Sequence, residues 1–398
     1  MSIMFDTVQV GDMPVRNRFV HSATHEVLAE TDGRVTEEIV RRYETLAKGE
    51  VGLIIPGHMF VHPSGRAHPR QSGIYCDEMI PGLCRLTDAV HAHGGKVAVQ
   101  LAHGGRQSPK KVLGTQPLAP SGHGRDPVTM NKPRQMTREI IRETVQAFID
   151  AARRAAEAGA DAVQLHGAHG YLICEFLSPF YNRRRDEYGG SAEGRFRFLR
   201  EIVTGVRSVL PDTMPVLVKM NGNDYTPRTG VTPDLAARYA AWLVDMGVAA
   251  VEVSGGTYYG FQSVRGEIPI PELVQTLPAW MRPIARIKMH FEKSKSRFAE
   301  AYNLEAAKTI RPATGTATLI LVGGMRSLSK MEEIVSAGHA DMISMSRPFI
   351  REPLLVKKFR EGKKTEADCI SCNMCSAAMF NEIPVRCYRK GLPAVFRA

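Results

Sequence analysis

The amino-acid sequence predicts a (β/α)8 barrel with a short C-terminal extension. Eight short segments rich in branched aliphatic residues alternate with amphipathic helical segments. This alternation fills about 330 residues, which suits a barrel of roughly 250 residues plus insertions. The competing architecture, a doubly wound sheet, needs a glycine-rich turn after its first strand, and the segment SATHEVLAETDGRVTEE stands there instead.

The strands are predicted where β-branched runs end in glycine or polar residues. In chain order they are FVHSATH from Phe19, VGLIIPGH from Val51, KVAVQLAHGG from Lys96, AVQLHGAHGY from Ala162, VLVKMNGND from Val216, AAVEVSGGT from Ala249, TLILVGGMRS from Thr318 and MISMSRP from Met342. The segments between them, such as TPDLAARYAAWLVDMG, repeat apolar residues at helical spacing and often stop at glycine. We therefore predict one barrel domain at residues 1–350 and a cysteine-rich extension at residues 351–398.

Composition and charge narrow the classes of protein. The start of the sequence lacks the features of a secretory signal, and no apolar run is long enough to span a membrane, so we expect a cytoplasmic protein. The net charge is +11, and most of it lies in residues 104–135, with six basic residues against one acidic, and in residues 257–297, with seven against three. No nucleic-acid motif accompanies these charges. We predict neither a nucleic-acid nor a membrane partner, and leave a homo-oligomer open.

Polar residues collect at the predicted C-terminal ends of the strands, where barrels of this kind carry their active sites. These residues are Ser22, Thr24, His25, Gly57, His58, Gln100, His103, His166, His169, Tyr171, Lys219, Asn221, Ser254, Gly323, Gly324, Ser346 and Arg347. Hydrogen-bond donors outnumber carboxylates, which favours an anionic or electron-rich ligand over a divalent cation. Gly323 and Gly324 at the end of the seventh strand, together with Arg347 at the end of the eighth, favour phosphate binding. Taken singly, His58 and His103 are interpreted as structural.

Several long motifs carry a resemblance to a known family. They are VRNRFVHSATHE, LAHGGRQ, HGAHGYLICEFLSPFYNRRRDEYGG, LVGGMRS and SMSRPFIREP. Over nearly its whole length, the chain resembles the old yellow enzyme family of FMN-dependent oxidoreductases. The resemblance implies that His166 and His169 donate hydrogen bonds to the carbonyl oxygen of an α,β-unsaturated substrate, and that Tyr171 protonates the carbon next to that carbonyl. The basic loops favour an anionic substrate such as an acyl-CoA.

The same resemblance implies a set of FMN-binding residues, with NAD(P)H as the electron donor. Gln100 and Lys219 are expected at the pyrimidine edge of the flavin ring, where Lys219 replaces an arginine of many relatives. The phosphate is expected at Gly323, Gly324, Ser346 and Arg347. Ala23, Thr24, His25 and Gly57 are expected along the ring.

Four cysteines near the end of the chain follow the spacing C-x2-C-x2-C-x11-C. They are Cys369, Cys372, Cys375 and Cys387. Four thiolates bind either an iron–sulfur cluster or zinc. The segment resembles the iron–sulfur motif of the branch that includes 2,4-dienoyl-CoA reductase and trimethylamine dehydrogenase, which implies a [4Fe-4S] cluster, while zinc and free thiols stay open. Those relatives continue into nucleotide-binding domains, so we expect a nicotinamide or a separate electron-transfer protein to exchange electrons with this chain.

The leading hypothesis is an enzyme that reduces the C=C bond of an enone or enoyl thioester. A second hypothesis reverses the electron flow, as in a flavin-dependent dehydrogenase or demethylase that passes electrons through the cluster to a partner. A third is a metal-dependent hydrolase barrel using His21, His25, His166 and His169. It ranks lower because the first strand lacks His-x-His and the eighth lacks a terminal acid. A non-catalytic electron carrier is the remaining alternative.

Overall fold

The computed structural model describes residues 2–393, and eight parallel strands form a closed barrel at its centre. In chain order these strands are β1 (Phe19–His21), β2 (Leu53–Ile54), β3 (Lys96–Ala102), β4 (Ala162–Gly167), β5 (Val216–Asn221), β6 (Ala250–Ser254), β7 (Thr318–Val322) and β8 (Met342–Met345). Each strand pairs with the next, and β8 pairs with β1 to close the ring. The predicted fold and its eight strands are confirmed.

Eight helices surround the barrel, one after each strand. They are α1 (Glu37–Lys48), α2 (Ile80–His91), α3 (Arg138–Glu157), α4 (Ala192–Val209), α5 (Pro233–Asp245), α6 (Leu304–Ile310), α7 (Leu328–Ser336) and α8 (Leu355–Arg360). Four of them begin at a Ser or Thr whose hydroxyl accepts a backbone N–H of the first turn: Thr36, Thr137, Ser191 and Thr232. The apolar stripes of the helices bury against the outside of the strands and form the main core.

The N-terminal end of the barrel is filled with apolar side chains. The antiparallel strands Val8–Val10 and Met13–Val15 form a hairpin there, and their side chains join a small core with Val20 and Leu217. Because this end is closed, a ligand can enter only at the opposite end. The polar residues at the C-terminal ends of the strands lie there, as a barrel active site requires.

Further elements cover that opposite end. After β3 come the helix Lys110–Leu113 and the paired strands Leu118–Ala119 and Arg134–Gln135. The helix Leu172–Leu177 follows β4. Two more, Ile270–Val274 and Arg282–Glu292, follow β6, so the region predicted as a second basic loop is partly helical.

The C-terminal segment returns to the mouth of the barrel. After the helix Arg347–Arg351 and α8, the helix Met374–Phe380 packs with Ile270–Val274 in a third apolar cluster. Because the side chains of α8 pack into the main core, the predicted boundary at residue 351 falls before the last helix of the barrel. Residues 394–398 of the predicted extension lie outside the described residues.

Among the described residues, no helix is both long enough and apolar enough to cross a membrane.

Candidate active site

One cavity at the C-terminal ends of the strands gathers nearly all of the predicted flavin-binding and substrate-binding residues. It is lined by Ala23, Thr24, His25, Gln100, His166, His169, Tyr171, Lys219, Gly323, Gly324, Ser346 and Arg347, among others. Gly57 is placed elsewhere: its N–H donates a hydrogen bond to the buried carboxylate of Glu26 at 2.8 Å, and it does not line the cavity. The loops that follow seven of the eight strands therefore converge on this site.

His166, His169 and Tyr171 form one compact group. The ring centroid of His166 lies 5.3 Å from that of His169 and 4.8 Å from that of Tyr171. His166 is the last side chain of β4 before Gly167, whereas His169 adopts a left-handed backbone conformation with φ of 61° in the turn that follows. The end of β4 and the turn that follows it together place both imidazoles and the phenol beside one another, as the sequence resemblance implies.

The two imidazoles are neutral near neutral pH. Burial is the main reason that the pKa of His169 falls to about 3, and it also lowers the pKa of His166 well below its ordinary value. A neutral imidazole has one N–H donor and one acceptor nitrogen. Nε2 of His169 lies 2.7 Å from Ser254 Oγ, whereas the ring of His166 makes no hydrogen bond among the described residues, and its Nδ1 is buried.

Tyr171 contacts a histidine that the sequence analysis interpreted as structural. Its hydroxyl lies 3.0 Å from Nε2 of His58, and Tyr258 lines the same cavity. Burial raises the pKa of Tyr171 well above its ordinary value and lowers the pKa of His58 to about 4. A protonated phenol therefore faces a neutral imidazole. His58 and Tyr171 are 113 positions apart, and no local motif connects them.

Lys219 is held by a buried carboxylate. Its Nζ donates to Ser22 Oγ at 2.6 Å and to Glu252 Oε1 at 3.1 Å. Glu252 is fully buried, and its Oε1 also accepts hydrogen bonds from Ser22 Oγ and Ser344 Oγ, both at 2.9 Å. The ammonium and the carboxylate thus form an ion pair inside the barrel.

Gln100 joins the same network through a second glutamine. Its Nε2 donates to Gln164 Oε1 at 2.6 Å, and Gln164 Nε2 donates to Glu252 Oε2 at 2.9 Å. The sequence analysis missed Glu252. The two-residue period of a β-strand could have identified it, because this period places Glu252 on the same face of β6 as Ser254.

The glycine pair after β7 has the backbone conformation that only glycine adopts readily. Gly323 has φ of 134° and Gly324 has φ of 74°, and a Cβ on Gly324 would collide with the carbonyl oxygen of Ala299. Backbone N–H groups can thus approach a ligand closely here. Nη1 of Arg347 donates to the carbonyl oxygen of Arg265 at 2.8 Å and to Oδ1 of Asn373 at 2.6 Å.

Arg326 is a further candidate ligand residue that the sequence analysis missed. It lines the cavity two residues after Gly324, and its Nε and Nη2 are buried without hydrogen-bond partners. Its guanidinium stacks on the Phe298 ring at 3.6 Å from the centroid. The motif GGMRS contained this residue, but its side-chain direction required the structure.

The four motif cysteines line one small cavity beside Arg347. Two of them, Cys369 and Cys375, also line the main cavity. Burial raises the pKa of Cys375 to about 11, with Cys369 and Cys372 contributing in the same direction. Within residues 2–393, no group of three or more His, Cys, Asp or Glu side chains is arranged to hold a single metal ion.

The hydrolase hypothesis, which needs His21 as a metal ligand, gains no support either. Nδ1 of His21 is bonded to the carbonyl oxygen of Ile55 at 2.9 Å.

A second cavity leads outward from the first. It has a volume of about 680 Å³ and shares His25, His58, Tyr171 and Tyr258 with the main cavity. This volume lies within the range of small-molecule sites. Its outer part is mostly apolar and lies between the two basic insertions, lined by Pro109, Lys111, Arg125, Val128, Met130, Leu277, Pro278, Trp280, Met281, Met379 and Phe380. A substrate can therefore reach Tyr171 along an apolar channel with basic residues near its walls.

Comparison with known proteins identifies the family. The profile of the NADH:flavin oxidoreductase / NADH oxidase family matches residues 3–275 and 271–366. The chain belongs to this family. Among its relatives, an NADPH dehydrogenase of Geobacillus sp. (strain WCH70) is 37% identical over 353 residues, which cover 88% of this chain and 92% of the relative. An NADH oxidase of Thermoanaerobacter brockii is 33% identical over 393 residues, which cover 96% of this chain and 55% of the relative.

A solved structure adds a likeness at the level of the fold. A 2-naphthoyl-CoA reductase in complex with 2-naphthoyl-CoA matches this NADH:flavin oxidoreductase chain with a TM-score of 0.83 and 26% identity, covering 99% of this chain and 57% of that chain. The chain thus spans about half the length of the NADH oxidase and the reductase, and nearly the whole length of the NADPH dehydrogenase. The resemblance inferred from the sequence motifs is confirmed at the level of the family.

Proposed function

We propose that the protein is an FMN-dependent NAD(P)H oxidoreductase that reduces the C=C bond of an α,β-unsaturated carbonyl compound. The observation that carries this proposal is the meeting of two neutral imidazoles and a protonated phenol in one cavity. The same cavity is lined by Lys219 and by the glycine pair at 323 and 324. Family membership supports the flavin and the nicotinamide donor.

The residues present fit an FMN at this site. Both ring nitrogens of His25, and the Nε and Nη2 atoms of Arg326, are buried without partners. Such groups are costly to bury unless a ligand satisfies them. Gln100 and Lys219 would hold the pyrimidine edge of the ring, and the phosphate would lie among Gly323, Gly324, Arg326, Ser346 and Arg347. A bound FMN supplies the hydride that reduces the β carbon of the substrate.

The imidazoles of His166 and His169 bind and polarise the substrate. Because both rings are neutral, each donates one N–H, and the two donors can meet on a single carbonyl oxygen. Negative charge develops on that oxygen as the C=C bond is reduced, so donors fixed in a buried site stabilise the transition state more than the ground state. The Ser254 hydroxyl, 2.7 Å from His169 Nε2, can donate to that nitrogen or accept from it, and it holds the imidazole in place.

Tyr171 supplies the proton. Its hydroxyl lies 3.0 Å from His58 Nε2, and its raised pKa keeps it protonated at neutral pH. It transfers this proton to the carbon next to the carbonyl while the β carbon is reduced. The contact with His58 Nε2 gives the phenolic oxygen a neighbour through which the proton can be replaced. Neither step requires a charged side chain at the reacting carbon.

The substrate proposed is a carbonyl compound with a large apolar body, of which an acyl-CoA is one example. The apolar channel supports the body, and Arg125 on its wall supports an anionic tail. The structural likeness to a 2-naphthoyl-CoA reductase agrees with this substrate class. The oxidative alternative, in which a reduced substrate donates electrons, uses the same cavity and remains the second hypothesis.

The four cysteines are proposed to hold a [4Fe-4S] cluster. Their spacing and their shared cavity support this assignment. Because Cys369 and Cys375 also line the main cavity, a cluster there would lie beside the proposed flavin, as electron exchange between the two groups requires. Iron, zinc and acid-labile sulfide assays on the purified protein distinguish the cluster from zinc and from free thiols.

The test of the main proposal is a pair of half-reactions. Purified or FMN-reconstituted protein should show flavin absorbance, and cyclohexenone or an enoyl-CoA should reoxidise the NAD(P)H-reduced form. Tyr171→Phe should slow this reoxidation by about 100-fold or more and leave reduction by NAD(P)H nearly unchanged. The matched control is Tyr239→Phe on α5, which removes a buried hydroxyl that donates to the carbonyl oxygen of Leu177. Colourless protein that does not bind FMN, or equal rates in the two variants, would contradict the proposal.

A further inference from the structure

A stripe of large apolar side chains is exposed next to the mouth of the channel. Trp280, Ile284, Ile287 and Phe291 are 73%, 69%, 61% and 72% exposed. Trp280 lies in the 3₁₀ turn Ala279–Met281, which runs directly into the helix Arg282–Glu292. The four apolar residues of the stripe are spaced by four, three and four positions. At 3.6 residues per turn, this spacing places their side chains within an arc of about 60° on one side of the helix.

The helix already has a separate inner face. Ala285 and Met289 pack against the apolar cluster formed by the helices Ile270–Val274 and Met374–Phe380. The exposed stripe lies on the opposite side of the helix, so its residues are not the ones that pack the helix onto the rest of the protein. Monomeric proteins rarely leave such a contiguous patch of large apolar residues in water, and a patch of this kind marks an interaction site.

The segment that carries the stripe is strongly basic, with almost no acidic residues. Residues 280–297 contain six basic residues and one acidic residue, Glu292, which pairs with Lys295 at 3.4 Å. The other basic side chains are exposed and make no salt bridge among the described residues: Arg282, Arg286, Lys288, Lys293 and Arg297. Any partner of this surface must therefore be both apolar and negatively charged.

These features match an anionic lipid surface. A helix with Trp, Phe and Ile on one face and Lys and Arg around it lies in the interfacial plane of a bilayer. A second copy of the chain is a poor partner, because a twofold contact would bring the same six cations face to face. An acidic protein would cover the outer end of the channel, which Trp280 and Met281 line, whereas a bilayer leaves that end open to apolar molecules.

We propose that residues 280–297 dock the protein on an anionic bilayer, with Trp280, Ile284, Ile287 and Phe291 inserted among the lipids. This proposal departs from the sequence-based expectation of no membrane partner. Docking turns the outer end of the channel toward the lipid, so an apolar substrate dissolved in the bilayer enters without crossing water. The entry of substrate from the bilayer rests on the proposed function, whereas the docking of the protein on the bilayer does not.

The test is co-sedimentation of the flavin-loaded protein with vesicles of phosphatidylcholine, with and without phosphatidylglycerol. We expect binding to the anionic vesicles that weakens as salt rises. The chain has two tryptophans, so in a Trp242→Phe background the emission of Trp280 should shift to shorter wavelength on binding. Arg286→Gln with Lys288→Gln should weaken binding by about thirtyfold, since each cation near an anionic surface contributes about fivefold.

A matched pair of variants tests the apolar stripe. Ile284→Glu with Phe291→Glu should abolish vesicle binding, whereas Leu354→Glu, at another exposed apolar position, should leave it unchanged. All three side chains are at least 39% exposed, and unchanged flavin content and thermal unfolding would show that the fold is intact. Absence of binding to anionic vesicles would overturn the proposal. So would equal loss in Leu354→Glu, or a concentration-dependent dimer of the parent protein that Ile284→Glu dissociates.

Discussion

The buried pair of Lys219 and Glu252 gives the sharpest prediction for the chain itself. Glu252→Gln keeps the size of the side chain and one acceptor oxygen, so the hydrogen bonds from Ser22 and Ser344 can persist. What the substitution removes is the negative charge 3.1 Å from the Lys219 ammonium. The free energy of unfolding should therefore fall by the electrostatic contribution of this pair, with a smaller loss from the hydrogen bond that Gln164 Nε2 donates to Glu252 Oε2.

The size of the effect follows from burial. Lys219 is 3% exposed and Glu252 is fully buried. At an effective dielectric constant of about 20, two unit charges separated by about 4 Å attract each other by about 4 kcal/mol. Removal of one partner from a buried ion pair costs about 3–5 kcal/mol, because the other charge stays buried. We expect Glu252→Gln to lower the free energy of unfolding by about 3 kcal/mol.

The assay is urea unfolding of the flavin-free protein, followed by circular dichroism. The control, Glu333→Gln, removes an exposed carboxylate that pairs with Lys330 on α7, and it should change stability by less than about 0.5 kcal/mol. In the FMN-loaded protein, Glu252→Gln should also raise the flavin midpoint potential, because loss of a negative charge favours the reduced form. A stability change as small as that of the control, together with an unchanged potential, would refute the reasoning.

Three further predictions concern the site. First, the rate of flavin reoxidation by substrate should be nearly flat from about pH 5 to about pH 9: the pKa of His169 is lowered to about 3 and that of His58 to about 4, and the pKa of Tyr171 is raised, so none of these groups changes charge in that range. An inflection near the ordinary pKa of histidine in stopped-flow rates would contradict this. Second, Gly324→Ala should weaken FMN binding about tenfold or more in a fluorescence titration, because its Cβ meets the Ala299 carbonyl. Gly338→Ala, which also has a positive φ but open space around it, is the control and should bind FMN as the parent does. Third, Cys387→Ser should lower the iron and sulfide content without lowering the flavin content, and retention of both at the level of a Cys84→Ser control would count against the cluster.

The sequence indicated the barrel because its determinants are local and periodic. Each strand is a short apolar run, each helix carries an apolar stripe, and several helices start at a capping Ser or Thr. Topology then places the C-terminal ends of all the strands at one mouth, so the sequence alone groups residues such as His166, Lys219 and Arg347. The spacing within HGAHGY belongs to a single turn, which is why that group of side chains was predictable.

The tertiary structure alone decided contacts between distant segments. Gly57 follows a strand end as the other site residues do, yet its N–H is bonded to the Glu26 carboxylate and it does not line the cavity. His58 reaches Tyr171 across 113 positions, and a lone histidine in sequence gives no sign of such a partner. The exposed stripe from Trp280 to Phe291 is another example, since exposure depends on what packs over a helix.

By itself, then, the sequence determined the barrel, the mouth that carries the site and the imidazole–phenol group, because periodicity and a single turn specify them. Only the folded chain decided that Glu252 anchors Lys219, that Arg326 reaches the cavity and that one apolar helix face stays uncovered. The physical reason is that burial and ion pairing depend on which segments come into contact in the folded protein. The local sequence of a segment does not show which distant segment it will contact.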